Sequence, residues 1–431
     1  LLVQAWKEEE CEDVKESEVD PELTQMACIA IKTLLQPWKL DYGELESLAS
    51  MARCSRIIGI GEGSHFVSEF SLVRASMVRY FVEKHGFNAL GLECGAIQAS
   101  RLSKWLNSSA GTDELERVAD PLTLAVYGSV LIWLKSYLQK TGGKLDVIGI
   151  DLPNTLNPRD DLGQLSEAIQ ILDPLMTPQV DALLQSLASI TGQSAVVSSA
   201  QWGELDRGSR DTALSGIMRL RLRLMSLAPV LTKRGGHSLF QRACYCVSSI
   251  EHTLETLRIM KTFFDGTSLE GDTSVRESFM AGAVEKRLGS DSDLKMLLLA
   301  HNNHIQKTTL SFSGELTAAP MGQHLAHRED YRAIGVTHLG STVPEMQYPS
   351  PESLLGFSVV SVPADEIRKD SVEQRIINNG GVQAPCVILA DDMKGTKLMR
   401  SQSVSIETNV NEAFDAILCT PRANKDSLAT L

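Results

Sequence analysis

Eight short apolar runs punctuate this chain, and they constrain its fold more than any other feature. They lie at 56–60, 88–92, 145–150, 295–300, 332–337, 357–362, 385–389 and 415–419, and most are rich in Ile, Val and Leu. Near-continuous apolar runs of this length suit strands covered on both faces, the usual state of a parallel-rich sheet. Helical sequence fills most of the gaps between them, and that alternation predicts an α/β architecture with helices flanking the sheet.

Two regions break the pattern. Residues 7–20 are acidic with few apolar positions and read as a solvated arm. Over 22–38, Leu23, Met26, Ile29, Ile31, Leu34 and Leu35 recur mostly on one side and predict a helix. Between 160 and 264 no convincing strand is found. Met218 to Arg223 alternates locally, but its Leu, Met and Arg content favours helix. The predicted organisation is an acidic arm and N-terminal helix over 1–48, an α/β catalytic core over 49–159 and 265–431, and a helical insertion over 160–264. The Gly-, Asp-, Ser- and Thr-rich stretch 265–274 is the returning loop, and 340–353 and 378–385 read as surface loops.

The formal net charge of -13 argues against nucleic acid and against an anionic membrane surface as partners, because no basic run offsets it. The eight cysteines are scattered without a C-x-x-C pair, so neither a disulfide framework nor a zinc site is predicted. The opening Leu-Leu-Val-Gln-Ala-Trp is too short for a secretory core, and no apolar stretch of spanning length is read, so a cytoplasmic location is expected.

Chemistry gathers where the apolar runs stop. Run 56–60 leads into Gly61-Glu62-Gly63-Ser64-His65, run 88–92 into Glu93, run 145–150 into Asp151, and run 295–300 into His301-Asn302-Asn303-His304. In open parallel sheets ligands bind outside the carboxyl ends of the strands, so these side chains are predicted to converge. Glu62 and His65 are three apart at a strand-to-helix junction. A histidine there suits a general base, and a nearby carboxylate fixes its tautomer. The other reading is a solvated His65 behind a Ser64 helix cap. His301 and His304 bind a metal only if Glu62, Glu93 or Asp151 completes the shell. Without an H-E-x-x-H spacing the metal-free reading is preferred, with His301 hydrogen bonding in the site and His304 structural. Arg74 and Arg276 suit an anionic intermediate. Neither a Rossmann fingerprint, a Walker motif nor a G-x-S-x-G elbow is present.

On these residues the chain resembles the erythromycin-esterase family. Gly59 to His65 with Glu69-Phe70 and Arg74 is similar to its glycine–glutamate–alanine–threonine–histidine motif. Arg276-Glu277 with Met280-Ala281 resembles its arginine–acid–x–x–methionine–alanine motif, and Ala300 to His304 its alanine–histidine–asparagine–x–histidine motif. Further matches, in order, are 79–93, 148–151, Met321-Gly322, Tyr331 with Ile334-Gly335, and Phe414-Asp415-Ala416 before Thr420-Pro421. The resemblance implies an α/β hydrolase that needs neither metal nor cofactor and opens an ester or lactone in a small-molecule substrate. It makes His65 the base that activates water, with Glu62, Glu93 and His301 beside it. Arg74, Arg276 and His301 would stabilise the oxyanion, and Phe66, Asp151 and His304 would line the substrate site. Phe66 stands where the family commonly has glycine and is expected to narrow or reshape the pocket beside the base. Two other readings use the same residues: a repurposed biosynthetic enzyme that cyclises, rearranges or dehydrates a natural-product intermediate, and a non-catalytic binding protein.

Overall fold

The computed structural model describes residues 28–267, 271–312, 315–348, 353, 355–380 and 383–431. An eight-stranded sheet runs through the core: β1 Ile29–Ala30, β2 Ile57–Ile60, β3 Ala89–Gly95, β4 Asp146–Asp151, β5 Met296–Leu299, β6 Tyr331–His338, β7 Cys386–Leu389 and β8 Ala416–Thr420. Its order is β1-β7-β8-β6-β2-β5-β3-β4, parallel from β8 to β4, with β7 antiparallel to both of its neighbours. The α/β fold with a parallel-rich sheet is the one the apolar runs predict.

The central strands are apolar on both faces because both faces are covered. On β5, Leu297 and Leu299 enter one core cluster while Met296 and Leu298 enter another. Successive side chains of a strand alternate between faces, so a four-residue apolar run serves two cores at once. Each fully buried Leu contributes about 1.5–3 kcal/mol.

The helices used below are α1 Ser68–His85, α2 Pro121–Thr141, α3 Arg159–Leu172, α4 Arg207–Ser226, α5 His237–Phe264, α6 Ser274–Gly289 and α7 Asn302–Ile305. Met218 to Arg223 lies within α4, so its alternation is helical. From Arg159 to Phe264 every named element is a helix, and these helices share a third core that includes Leu165, Ile169, Leu220, Ile250 and Leu254. Phe279 of α6 and Leu152, just after β4, join that core to the strand ends.

Three expectations are corrected. The helix over 22–38 does not run through Ile29–Ala30, which pair with the edge of β7; residues 22–27, like the acidic arm, lie outside the described residues. The run 357–362 does not join the main sheet. It forms strand Ser358–Pro363, paired with Thr342–Gln347 in a separate antiparallel pair, so part of the stretch read as a surface loop is a strand. One described helix, α2, is long and apolar enough to span a membrane, but 61% of its apolar window is buried, with Ala125, Val130, Leu131 and Leu134 in the main core. The described cysteines are all free, and Cys11 lies outside the described residues.

The helical region holds a titrating group. Asp161 of α3 is 2% exposed and accepts a hydrogen bond from Ser249 Oγ of α5 at 2.7 Å. Burial pushes its carboxyl up to about 6, against a partial offset from that bond. The folded state therefore holds this proton more tightly than the unfolded chain, and stability falls as pH rises from about 4 to about 6. At one unit per 1.36 kcal/mol, the ionised carboxylate costs about 3 kcal/mol at neutral pH. Asp161→Asn keeps an acceptor for Ser249 and should stabilise the protein at pH 7.5 while changing little at pH 4.5. Urea melts at the two pH values check this, and equal effects at both would count against it.

Candidate active site

The loop after β2 is shaped by space. A Cβ on Gly61 would lie 1.9 Å from Asn302 Oδ1, and one on Gly63 2.9 Å from Val336 O. Asn302 cannot retreat: its side chain accepts from Val336 N–H at 3.1 Å and donates to Val336 O at 2.8 Å, while its own N–H donates to Glu62 O at 2.9 Å. Asn302 thus ties α7, β6 and the Glu62 loop together. Gly61→Ala should cost about 3 kcal/mol through overpacking and should lower activity through displacement of Glu62; a melting curve with a rate measurement checks both.

More contacts fix the loop. Ser64 Oγ donates to Pro344 O at 2.8 Å, so it is a tether to the Thr342–Gln347 strand and not a helix cap; α1 begins only at Ser68. Gly63 O accepts from Gln402 N–H at 2.6 Å and from His301 Nε2 at 3.2 Å. Gln402 turns the hairpin between Leu398–Ser401 and Val404–Glu407 at a left-handed φ of 58°. Phe66 follows His65 at φ 67°, a backbone conformation suited to glycine. Its side chain is 2% exposed and packs in the main core, with its ring 5.8 Å from that of His65. Phe66 therefore buttresses His65 from behind and does not narrow an open pocket.

Three histidines converge here, and geometry assigns each a different proton state. Carboxylates only accept hydrogen bonds and backbone N–H groups only donate. His65 Nδ1 lies 2.6 Å from Glu62 Oε1, so Nδ1 carries a proton. No group among the described residues bonds its Nε2, which stays open to a reactant. His301 Nδ1 accepts from Asn303 N–H at 3.2 Å, so its proton is on Nε2, donated to Gly63 O, and the ring is neutral. Burial, then the neighbouring His65 and His304, push His301 well below the usual histidine range. His304 has a carboxylate at each nitrogen, Glu277 Oε1 at 2.7 Å and Glu93 Oε1 at 3.1 Å, so both nitrogens are protonated and it is an imidazolium. Burial opposes that charge, but Glu277 and Glu93 outweigh it and hold the group well above its ordinary value.

The carboxylates are matched by cations. Arg74 of α1 donates to Glu62 Oε2 at 2.7 Å and to Ala300 O at 2.8 Å, and lies 5.5 Å from the centre of the Tyr127 ring. Arg276, in the first turn of α6, bonds Asp151 through Nε at 2.9 Å and through Nη2, and reaches Glu93 Oε1 with Nη2 at 3.1 Å. Glu93 Oε2 also accepts His301 N–H at 3.0 Å. Burial would raise the Glu93 carboxyl, but His304, His65 and Arg276 together hold it well below the usual carboxylate range.

Exposure separates the groups that meet substrate from those that hold them. The side chains of Arg276 and His65 are 34% and 18% exposed, against 1–3% for Arg74, Glu62 and Asp151. Arg74 is thus corrected from oxyanion binder to the cation behind Glu62, and Asp151 supports Arg276 from below. His301 is in the site, but both its nitrogens hold backbone. Sequence reading missed Glu277, Asn302 and Gln402 as contributors. Glu277 and Asn302 each stood inside a motif already noticed, whereas Gln402 left no signal. Among the described residues no group of three or more His, Cys, Asp or Glu side chains is arranged to hold a metal ion.

The arrangement offers a base with an open nitrogen and a carboxylate partner, plus a partly open cation. Arg276 Nη1 has no partner among the described residues and is free to donate. The erythromycin esterase family model matches residues 82–423. The chain is 64% identical over 400 residues to erythromycin esterase type I of Escherichia coli, covering 93% of this chain and 98% of that one. It is 25% identical over 398 residues to erythromycin esterase type II of Escherichia coli, covering 88% and 94%. Its fold matches the erythromycin esterase EreC, solved as a mutant in its open conformation, with a TM-score of 0.92 and 63% identity over 94% of this chain and 100% of that one. Among the readings open to the sequence, these matches select the ester hydrolase acting on a small molecule. The chain belongs to the erythromycin esterase family.

Proposed function

We propose that this ester hydrolase opens the lactone ring of a macrolide, using a water molecule that His65 deprotonates. The observation that carries the reading is the setting of His65: Glu62 Oε1 lies 2.6 Å from Nδ1, and Nε2 has no partner among the described residues. Water gives its proton to Nε2 as its oxygen attacks the ester carbonyl carbon. Glu62, itself anchored by Arg74, stabilises the imidazolium that forms. Arg276 Nη1 donates to the oxygen that gains charge. The tetrahedral intermediate then loses its alkoxide, His65 Nε2–H returns the proton to that oxygen, and the ring opens to an alcohol and a carboxylic acid on one chain, the acid then giving up its proton to solvent. The macrolide is proposed from the two erythromycin esterases of Escherichia coli to which the chain is similar over most of its length.

Incubation of the protein with a panel of macrolactones, smaller lactones and open-chain esters, read by mass spectrometry with and without chelator, tests this. The expected result is a gain of one water on the macrolactones, unchanged by chelator. Turnover of small esters alone would move the substrate class. An isobaric or dehydrated product would reject the reaction.

A further inference from the structure

Glu277 belongs to none of the groups that meet substrate, yet it sets the charge of one that stands beside them. It is 5% exposed, and both its oxygens are committed: Oε1 to His304 Nδ1 at 2.7 Å and Oε2 to Met321 N–H at 2.9 Å. It follows Arg276 in the first turn of α6. One helical turn therefore delivers the cation that grips Asp151 and Glu93 and the anion that binds the far side of His304.

We propose that Glu277 is a positioning residue for the hydrolysis: by holding Nδ1 of His304 it makes His304 a permanent cation, and that cation balances Glu93 in the wall beside His65. The inference rests on the reading of His65 as the base. The groups around His304 are few. Glu277 and Arg276 come from α6, Glu93 from β3, His301 from the cap of α7, and Glu62 with His65 from the loop after β2. From the helix Met321–Leu325 the titratable side chain is His324, which is exposed; β6 carries Tyr331, whose hydroxyl bonds Ile305 O, Arg332, which faces Asp415, and His338, which is buried beside Phe70. Arg276 is shared between Asp151 and Glu93, so His304 is the other cation in direct contact with Glu93. If His304 became neutral, an unbalanced carboxylate would face the site. It would hold a proton on His65 to higher pH and repel the oxyanion as it forms.

Glu277→Gln tests this, because its amide oxygen keeps the hydrogen bond to Nδ1 while the charge is removed, at the cost of the bond from Met321 N–H, which acts equally at every pH. Below about pH 6, where an ordinary histidine is still protonated, kcat/KM of the variant should stay within roughly threefold of wild type. Above about pH 8, where His304 would now be neutral, it should fall roughly tenfold or more. Glu277→Asp retains the charge and should keep the wild-type profile shape. Melting curves of both variants separate misfolding from the charge effect. A second readout needs no turnover: nitrogen NMR of His304 should show an imidazolium from about pH 6 to 9 in wild type and a titrating ring in Glu277→Gln. A loss of activity equal at all pH values, or a neutral His304 at pH 7.5 in the wild-type protein, would overturn the proposal. The NMR result stands whether or not His65 proves to be the base, so failure of one claim is distinguishable from failure of the other.

Discussion

Replacing His65 with Gln lowers kcat/KM for ester hydrolysis by roughly three to four orders of magnitude and leaves the melting temperature close to wild type. The side chain is 18% exposed, and its one hydrogen bond among the described residues goes to Glu62, so the fold loses little when the imidazole goes. The chemistry loses its proton acceptor. Glu62→Gln should fall between wild type and that floor, because an amide no longer enforces Nδ1–H and no longer stabilises the imidazolium. The pH profile carries a sign. Burial pulls the His65 pKa down, but the Glu62 charge and hydrogen bond, with Glu93 beyond, outweigh it and raise it above the ordinary 6.5. A general base works only when neutral, so kcat/KM should climb with pH through a value above 6.5. In Glu62→Gln the climb should move to lower pH. Initial rates from pH 5 to 9 for the two variants and wild type decide both points.

The second large effect is on stability. Arg74 is 1% exposed and compensates the buried Glu62 carboxylate at 2.7 Å while donating to Ala300 O. Arg74→Met removes the cation and strands the anion, which should destabilise the fold by about 3–5 kcal/mol. Removing the charge from Glu62 as well should restore much of that loss, because an uncompensated buried charge costs more than a missing pair. Urea unfolding of Arg74→Met, Glu62→Gln and the double variant gives the coupling directly. Simple additivity of the two losses would mean that the Arg74–Glu62 contact is not what holds the loop.

Much of this was legible in the sequence for a physical reason. A strand buried on both faces must be apolar throughout, so β2, β3, β4 and β5 stand out, and whatever polar residue ends them lies at the sheet's carboxyl edge. For that reason Glu62, His65, Glu93, Asp151 and His301 can be gathered from the sequence alone. What was not legible depends on distant partners. Ile29–Ala30 carries a helical pattern and becomes a strand only because the edge of β7 is there to pair with it. Thr342–Gln347 contains Pro344 and Glu345, which mark a loop, until Ser358–Pro363 supplies its other half. The spacing from His65 to Arg74 placed the arginine on the right helix, but not on the far side of Glu62 from the substrate. Proton states were out of reach for the same reason: His301 and His304 are three residues apart in one motif, and only their partners make one neutral and the other a cation.

The central claim is that His65 activates the water that opens the ester. Its most direct test is a reaction in heavy-oxygen water, followed by mass spectrometry of the product from wild type and from His65→Gln. The account predicts that wild-type product carries one heavy oxygen in its new carboxylate and that His65→Gln yields almost none of it. Product without the heavy oxygen, or a His65→Gln enzyme that incorporates it at the wild-type rate, would contradict the account.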